Sequence, residues 1–261
     1  MGDRERVYRT EAIVLRHSDF GEADRLLIVY TPHRGKLRLL AKGARRPKAR
    51  KTGHVDLFTR TELLVARGRN LDIVTQAETV EPYLPLRRSL DSMALAHYVA
   101  ELVDGFAEEE SENPILYRLL RDALGWICTS QQPRLALRYF ELQLLETAGY
   151  RPHLFECARC RAVLEPVTNY YSDEAGGVIC PMCAPRETGT RPVALTPFKV
   201  LRFLQTRGYA ACMQLRISPG TADEVERILQ GNLSYILERR LRSLPFLRLL
   251  EDYSAAEQPS S

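Results

Sequence analysis

Four of the six cysteines fall in two pairs whose spacing is typical of a structural metal site. Cys157 and Cys160 are separated by two residues, Cys180 and Cys183 likewise, and nineteen residues lie between the pairs. Each C-x-x-C turn can bring two thiolates to one ion, and two such turns complete the tetrahedral shell that Zn²⁺ prefers. The sequence therefore predicts one structural zinc per chain. The alternative interpretation is a vestigial or redox-active set of thiols.

The sequence offers no motif for catalysis. Four thiolates leave no coordination position for a reacting water, which argues against a catalytic zinc. Nucleophile-elbow, P-loop and dinucleotide-binding motifs are absent, and the five histidines form no local cluster. Cys128 and Cys212 stand alone among apolar residues and are predicted to lie in the core. We therefore expect a protein that is not an enzyme, with a zinc hydrolase as the weakest alternative.

A concentrated run of positive charge is the second feature with a chemical use. Residues 25–55 contain ten Lys or Arg and no Asp or Glu. Residues 1–80 have 17 basic and 10 acidic residues, a net charge of +7, so the rest of the chain carries −3 of the total +4. Such a local excess favours a polyanion bound through its phosphates. The predicted contacts are Lys36, Arg38, Lys42, Arg45, Arg46, Lys48, Arg50 and Lys51. The alternative is a solvated run that serves only solubility.

The basic run lies in a segment whose pattern is typical of β structure. Short apolar or alternating runs at residues 11–15, 25–30, 36–42, 62–65 and 71–74 are separated mostly by glycine-containing turns. Five strands without an intervening helical period favour a small closed barrel, for which the five-stranded OB-fold is the usual solution.

Alternation within the third run predicts how the charge is displayed. Because successive side chains of a strand point to opposite faces, Lys36, Arg38 and Lys42 are expected on the outer face and the apolar residues between them in the core. Tyr30 and Phe58 flank the patch, and either is equally consistent with a core position. With so few aromatic side chains, the sequence favours binding to a nucleic-acid backbone over reading of bases.

The pattern changes to a helical period beyond residue 81. Apolar residues recur at intervals of three and four over residues 95–106, and further helices are predicted at 114–128 and 134–148. The acidic residues 108–112 are predicted to form a solvated loop between helices.

Two later helices have predicted start signals. Thr196 followed by Pro197 suits the N-cap and first position of a helix that runs to Gln205. Residues 221–224 (TADE) form a capping-box pattern for a longer helix.

The predicted fold class is α+β, with an N-terminal five-stranded OB-fold barrel followed by a helical domain that contains an inserted four-cysteine zinc module. The predicted domains are residues 1–80 (OB-fold, nucleic-acid binding), 81–153 (helical domain, first part), 154–186 (zinc module), 187–253 (helical domain, second part) and 254–261 (flexible tail). No apolar run is long enough to span a membrane, and the start lacks the pattern of a secretory signal, which together predict a cytoplasmic protein.

A series of motifs resembles the RecO family of bacterial recombination mediators. The motifs are TEAIVL at 10–15, GEADR at 21–25, GK at 35–36, AKGARRPK at 41–48, GYRP at 149–152, GGVIC at 176–180 and LTP at 195–197. Their common order over roughly residues 7–205 makes the resemblance specific, and beyond it only the helical pattern is similar. The resemblance implies the same OB-fold, helical domain and inserted zinc module, without enzymatic turnover.

The resemblance also implies a function. Proteins of this family bind single- and double-stranded DNA, anneal complementary strands and, with RecR, help to load RecA onto strands coated by single-strand-binding protein. RecA is thus an indirect partner, and the implied location is cytoplasmic and nucleoid-associated. The family's DNA contacts carry over to Lys36, Arg38, Lys42, Arg45, Arg46 and Lys48. The residues themselves leave open an RNA-binding or ribosome-associated OB-fold and zinc protein, because RNA offers phosphates and unstacked bases to the same surface.

Overall fold

The computed structural model describes residues 6–46 and 53–256, which its contacts divide into two compact units. The first contains the described residues of 1–129 and of the C-terminal segment from 242, and the second contains residues 130–241. The division by contacts thus groups residues 81–129 with the N-terminal segment. The domain boundaries predicted from the sequence, with a helical domain from residue 81, stay a proposal. Within the described ranges, no helix has the length and apolar content needed to cross a membrane.

Five strands close a barrel in the first unit. They are β1 (Val7–Phe20), β2 (Asp24–Thr31), β3 (Gly35–Ala41), β4 (Arg60–Ala66) and β5 (Asp72–Glu81). Their order is β1-β2-β3-β5-β4, and neighbours are antiparallel except β3 and β5. The predicted five-stranded, OB-fold-like barrel is thereby confirmed. Most strands extend beyond the predicted apolar runs because polar residues at their ends also pair, as Arg60 does with Glu81.

Alternation along β3 fills the barrel core as predicted. Leu37, Leu39 and Ala41 are buried in one cluster with apolar residues of the other four strands. Tyr30 and Phe58, for which the sequence left surface and core equally open, are both buried. Neither ring is therefore available to stack on a base.

Seven helices lie within the described chain. They are α1 (Leu90–Phe106), α2 (Pro114–Thr129), α3 (Pro133–Thr147), α4 (Leu195–Thr206), α5 (Tyr209–Cys212), α6 (Pro219–Ile236) and α7 (Leu244–Ala256). The first two and the last belong to the first unit, and the others to the second. The helices predicted at 95–106, 114–128 and 134–148 are confirmed. α1 begins earlier than predicted because the Ser89 hydroxyl accepts a hydrogen bond from the Ser92 N–H and caps it.

A carboxylate on α1 holds the start of α7. The Glu101 side chain accepts hydrogen bonds from the backbone N–H groups of Arg242 (2.7 Å) and Ser243 (2.9 Å) and from the Ser243 hydroxyl (2.5 Å). A negative charge at a helix N-terminus also interacts favourably with the helix dipole. The last helix is thereby attached to the unit formed by the beginning of the chain.

Two predicted helix starts are wrong by two or three residues. α4 has Ala194 as its N-cap rather than Thr196. α6 begins at Pro219 with Ser218 as the N-cap, whose hydroxyl accepts from the Thr221 N–H at 3.4 Å. Ser followed by Pro suits the N-cap and first helical positions, so this pair takes the role assigned to the later threonine.

A small three-stranded sheet supports the cysteine segment in the second unit. β6 (Asn169–Ser172) lies between β7 (Gly177–Ile179) and β8 (Arg191–Val193), antiparallel to both. Gly177 approaches the backbone of His153 so closely that a Cβ would overlap it. The sequence did not predict these strands because three or four residues are too few for an alternation to be recognised.

Candidate nucleic-acid and metal sites

The structure brings the four paired cysteines together. The sulfur atoms of Cys157, Cys160, Cys180 and Cys183 all lie within 4.8 Å of one another, and the distance between Cys160 Sγ and Cys180 Sγ is 3.8 Å. A tetrahedral ion with bonds of about 2.3 Å to sulfur requires sulfur-to-sulfur distances of about 3.8 Å. The cluster therefore fits a tetrahedral metal ion after contractions of no more than about 1 Å, and the four cysteines could hold one.

Tight turns aim the sulfurs of both pairs inward. In the first turn the Arg161 N–H donates to the Cys157 carbonyl at 2.9 Å, and Arg161 takes the left-handed conformation with φ 63°. In the second, which follows β7 directly, the Cys183 N–H donates to the Cys180 carbonyl at 3.0 Å. The two turns are linked because the Cys180 N–H donates to Cys157 Sγ at 3.3 Å.

The thiols of the cluster shift the pKa of one another in opposite directions. Burial acts to raise the pKa of Cys157, but backbone N–H groups of Cys160, Cys180 and Arg159 that donate to its sulfur lower the pKa to about 6. Hydrogen bonds with Cys180 and Cys160 raise the pKa of Cys183 to about 12. Four thiolates this close repel one another, so full deprotonation needs a positive ion among them.

Lys36, the first predicted phosphate contact, is paired with an acid rather than exposed on the outer face of β3. The Lys36 ammonium lies 3.3 Å from the Asp104 carboxylate, donates to the Asp104 carbonyl at 2.7 Å, and leaves its side chain only 15% exposed. The predicted alternation is present, but the end of α1 covers this position. The expectation that Lys36 belongs to an open basic face is therefore corrected.

The acidic segment, residues 108–112, packs along the start of β3. Its side chains are solvated as expected, but its backbone pairs with Lys36, whose N–H donates to the Glu108 carbonyl (3.4 Å) and whose carbonyl accepts from the Glu110 N–H (3.2 Å). Glu109 lies 3.8 Å from the Arg38 guanidinium. The acidic segment thus neutralises part of the predicted basic strand.

Gly35 explains how the acidic segment can approach so closely. Its φ is +58°, and a Cβ at this position would overlap the backbone carbonyl of Ser111. Nearby, Glu112 pairs with His33 at 2.9 Å across the same contact. The glycine in the GK motif therefore has a packing role here.

In the described part of the loop after β3, one cation is paired with an acid and two are not. Arg45 is paired with Asp19 at 3.2 Å. Lys42 and Arg46 are exposed and form no ion pair with any described residue. We call Lys42, Arg45 and Arg46 the loop cluster. The predicted contacts Lys48, Arg50 and Lys51 lie outside the described residues.

Sequence reasoning missed a group of arginines at the other end of the barrel. The guanidinium carbons of Arg34 and Arg67 lie 4.2 Å and 5.3 Å from the ring centroid of Tyr8. These residues are far apart in the sequence: the β1–β4 register, with Val7 opposite Ala66, places Arg67 near Tyr8, and Arg34 reaches the same ring from the β2–β3 turn. An Arg-Gly-Arg turn at residues 67–69 was the only local sign.

Comparison with known proteins identifies the family. The model of the recombination protein O N-terminal domain matches residues 5–83, and that of its C-terminal domain matches residues 87–245. The "DNA repair protein RecO" of Roseiflexus sp. (strain RS-1) is 45% identical over 258 residues, which cover 99% of this chain and 91% of the relative. The proteins of the same name from Desulforudis audaxviator and Dehalococcoides mccartyi (strain CBDB1) are 43% and 38% identical, over 92% of this chain and 96% and 94% of theirs. The chain belongs to the RecO family of DNA repair proteins.

Proposed function

We propose that this chain is a non-enzymatic, DNA-binding recombination mediator. It binds single- and double-stranded DNA, anneals complementary strands and helps to load RecA onto DNA coated by single-strand-binding protein, with RecR as its partner. It acts in the cytoplasm, at the nucleoid. The observation that carries the proposal is an OB-fold-like barrel with two exposed cations, Lys42 and Arg46, that form no ion pair with a described residue, in a member of a DNA repair family.

The loop cluster is the part of the basic run best suited to phosphates. Lys42 and Arg46 are exposed without an acidic partner among the described residues, whereas Lys36 and Arg38 face acids of the same unit. A phosphate that binds an unpaired cation displaces only water and counterions, while one that binds a paired cation must also displace a carboxylate. We therefore assign the main contacts to Lys42 and Arg46, with contributions from Arg38, Arg45, Lys48, Arg50 and Lys51.

The four-cysteine cluster is proposed to hold one structural Zn²⁺ per chain. Four sulfur ligands within 4.8 Å of one another suit zinc better than hard cations that prefer oxygen. When bound, zinc would tie the two cysteine turns together, and the full sulfur shell leaves it a structural role.

The proposed DNA surface is tested by the charge-reversal variant K42E/R46E. Each phosphate contact contributes about 0.7 to the slope of log affinity against log salt on a single strand. The variant should bind more weakly and flatten the slope by at least about 1.4. Fluorescence anisotropy of a mixed-sequence oligonucleotide at several salt concentrations measures both quantities.

The matched control is R88E/R118E, which makes the same change in net charge. Arg88 and Arg118 are exposed residues of the same unit, outside the barrel, and form no ion pair with a described residue. This control should lose far less affinity than K42E/R46E. Equal losses in the two variants would show that net charge alone, and no local surface, determines binding.

The alternative of an RNA-binding protein is also tested by fluorescence anisotropy. The loop cluster consists of cations that do not distinguish the two backbones, so the residues themselves leave the choice open. Competition of DNA and RNA strands of equal length and sequence should favour DNA. A strong preference for RNA would replace the mediator role with an RNA-binding one.

A further inference from the structure

The barrel carries a second basic cluster at the end opposite the loop cluster. Arg6 directly precedes β1, Arg34 lies in the β2–β3 turn, and Arg67 and Arg69 lie in the β4–β5 connection. We call these four arginines, together with Tyr8, the Tyr8 cluster.

The geometry of this cluster is fixed by the tyrosine at its centre. Tyr8 is only 6% exposed, and its hydroxyl donates to the Asp72 carboxylate at 2.9 Å. The guanidinium groups of Arg34 and Arg67 both lie over its ring. The backbone N–H of Arg67 donates to the Arg6 carbonyl at 3.0 Å. A guanidinium that stacks on a ring still presents its N–H edge to a ligand. Both guanidinium groups thus lie beside the same ring, and neither donates a hydrogen bond to a described residue.

The positive charge of this cluster exceeds the negative charge of the one acid bonded to it among the described residues, Asp72. None of its four arginines forms an ion pair with a described residue. Asp72, the nearby acid, already accepts from the Tyr8 hydroxyl and from the Gly68 N–H, the latter at 3.0 Å. On β3, by contrast, Lys36 and Arg38 face acids. Holding like charges together costs free energy, which a bound anion would offset.

The two basic clusters are separated by the length of the β2–β3 hairpin. Arg34 lies just before β3, and Lys42 just after it. The eight steps from Arg34 to Lys42 correspond to roughly 26 Å at about 3.3 Å per residue. Between them, the acidic segment occupies the start of β3. The clusters are therefore two surfaces rather than the ends of one continuous stripe.

We propose that the Tyr8 cluster is a second phosphate-binding surface for nucleic acid, so that one chain holds two strands at once, one at each end of its barrel. The inference rests on the proposed function and extends it to the annealing step. Two strands on one barrel meet at an effective concentration set by their short separation rather than by the bulk solution.

The test counts strands per chain at saturation. The probe is a labelled oligothymidine of about six nucleotides, near the lower limit of OB-fold site sizes, which favours one strand per surface. Multi-wavelength sedimentation velocity at low salt gives the mass of the complex and the ratio of DNA to protein, so that self-association is separated from strand number. The wild-type chain should bind two strands. R34E/R67E and K42E/R46E should each bind one, and the control R88E/R118E should bind two.

Less drastic substitutions distinguish the loss of positive charge from a loss of folding. R34K/R67K keeps the charge and should bind two strands, whereas R34Q/R67Q removes it without adding repulsion and should bind one. Far-ultraviolet circular dichroism checks that each variant is folded. If R34E/R67E proves misfolded, the glutamine pair decides the question in its place.

Saturation of the wild type at one strand per chain would overturn the inference. So would two strands on R34Q/R67Q, since the Tyr8 cluster would then be a surface for some other anion, such as an acidic protein segment. If K42E/R46E falls to one strand while the Tyr8-cluster variants keep two, the proposed function stands and only this inference fails. If no variant changes affinity or strand number, both fail.

Discussion

At the scale of single residues, the most specific prediction is that the four paired cysteines hold the metal. Replacing Cys180 with Ser removes one sulfur ligand but keeps the backbone N–H of residue 180, which donates to Cys157 Sγ. Structural zinc in small modules contributes about 10 to 16 kcal/mol of apparent binding free energy. Cys180→Ser should therefore lose the metal and local structure in residues 154–186. Elemental analysis and amide hydrogen exchange measure the two effects.

The other cysteines provide the control for that variant. Cys128 lies on α2 in the first unit, outside the cluster, and is only partly buried rather than in the core as predicted, although this burial raises the pKa of its thiol. Cys128→Ser should retain stoichiometric metal. Stoichiometric zinc in a chain that lacks all four paired cysteines would show that the ion is held elsewhere.

Lys36 and Arg38 are two positions apart on one strand, yet we expect their replacement to affect stability very differently. Lys36 is largely buried against Asp104, so Lys36→Glu would place two carboxylates together and should cost about 3 to 5 kcal/mol. Arg38 and its partner Glu109 are both more than half exposed, so Arg38→Glu should change stability by less than about 1 kcal/mol. Urea unfolding of both variants measures the difference. Equal losses would mean that Lys36 is as solvated in solution as Arg38.

At the scale of elements, we expect the acidic segment to compete with phosphate for the cations of β3. E109Q/E112Q removes the charges opposite Arg38 and His33 while leaving the backbone pairing with Lys36 in place. Freed from these acids, the start of β3 should bind DNA about two- to tenfold more tightly, the range expected for two exposed ion pairs. Anisotropy titration at low salt, where exposed charges are least screened, measures the gain.

A matched variant shows whether the position of these acids matters. E78Q/E165Q removes the same charge from two exposed glutamates that form no ion pair with a described residue. It should gain clearly less affinity than E109Q/E112Q. Equal gains would mean that only net charge is sensed and that the acidic segment does not compete for the strand.

Elements defined by local pattern could be predicted from the sequence, whereas contacts between distant segments could not. Alternation identified the inward residues of β3 and the cysteine spacing identified the cluster, because both patterns act within a few neighbouring residues. The pairing of Lys36 with Glu109 joins residues more than seventy positions apart, and no local pattern specifies it. The Tyr8 cluster likewise depends on strand register and on a turn. The charge run therefore indicated a basic domain but not which of its cations are free.

At the scale of the whole molecule, the charge does not divide simply into a basic barrel and an acidic remainder. Residues 81–129 contain four basic and nine acidic residues, whereas residues 130–241 contain fourteen and eleven. The negative charge is thus concentrated in α1, α2 and the acidic segment, which belong to the same unit as the barrel. That unit carries both the proposed DNA surfaces and the acids that limit them.

The same division predicts which fragment folds alone. The barrel is bound to the helices that follow it, because the Tyr117 hydroxyl donates to the Glu11 carboxylate at 2.7 Å and Phe58 packs on His97 with 4.9 Å between ring centroids. Residues 130–241 should fold as an isolated fragment and bind one zinc. A chain that lacks residues 1–80 should expose apolar faces of α1 and α2 and aggregate. Circular dichroism melts, metal content and sedimentation velocity compare the two fragments. A monomeric, cooperatively melting product from residues 81–261 would instead favour the boundary at residue 80 predicted from the sequence, because α1 and α2 would then be stable without the barrel.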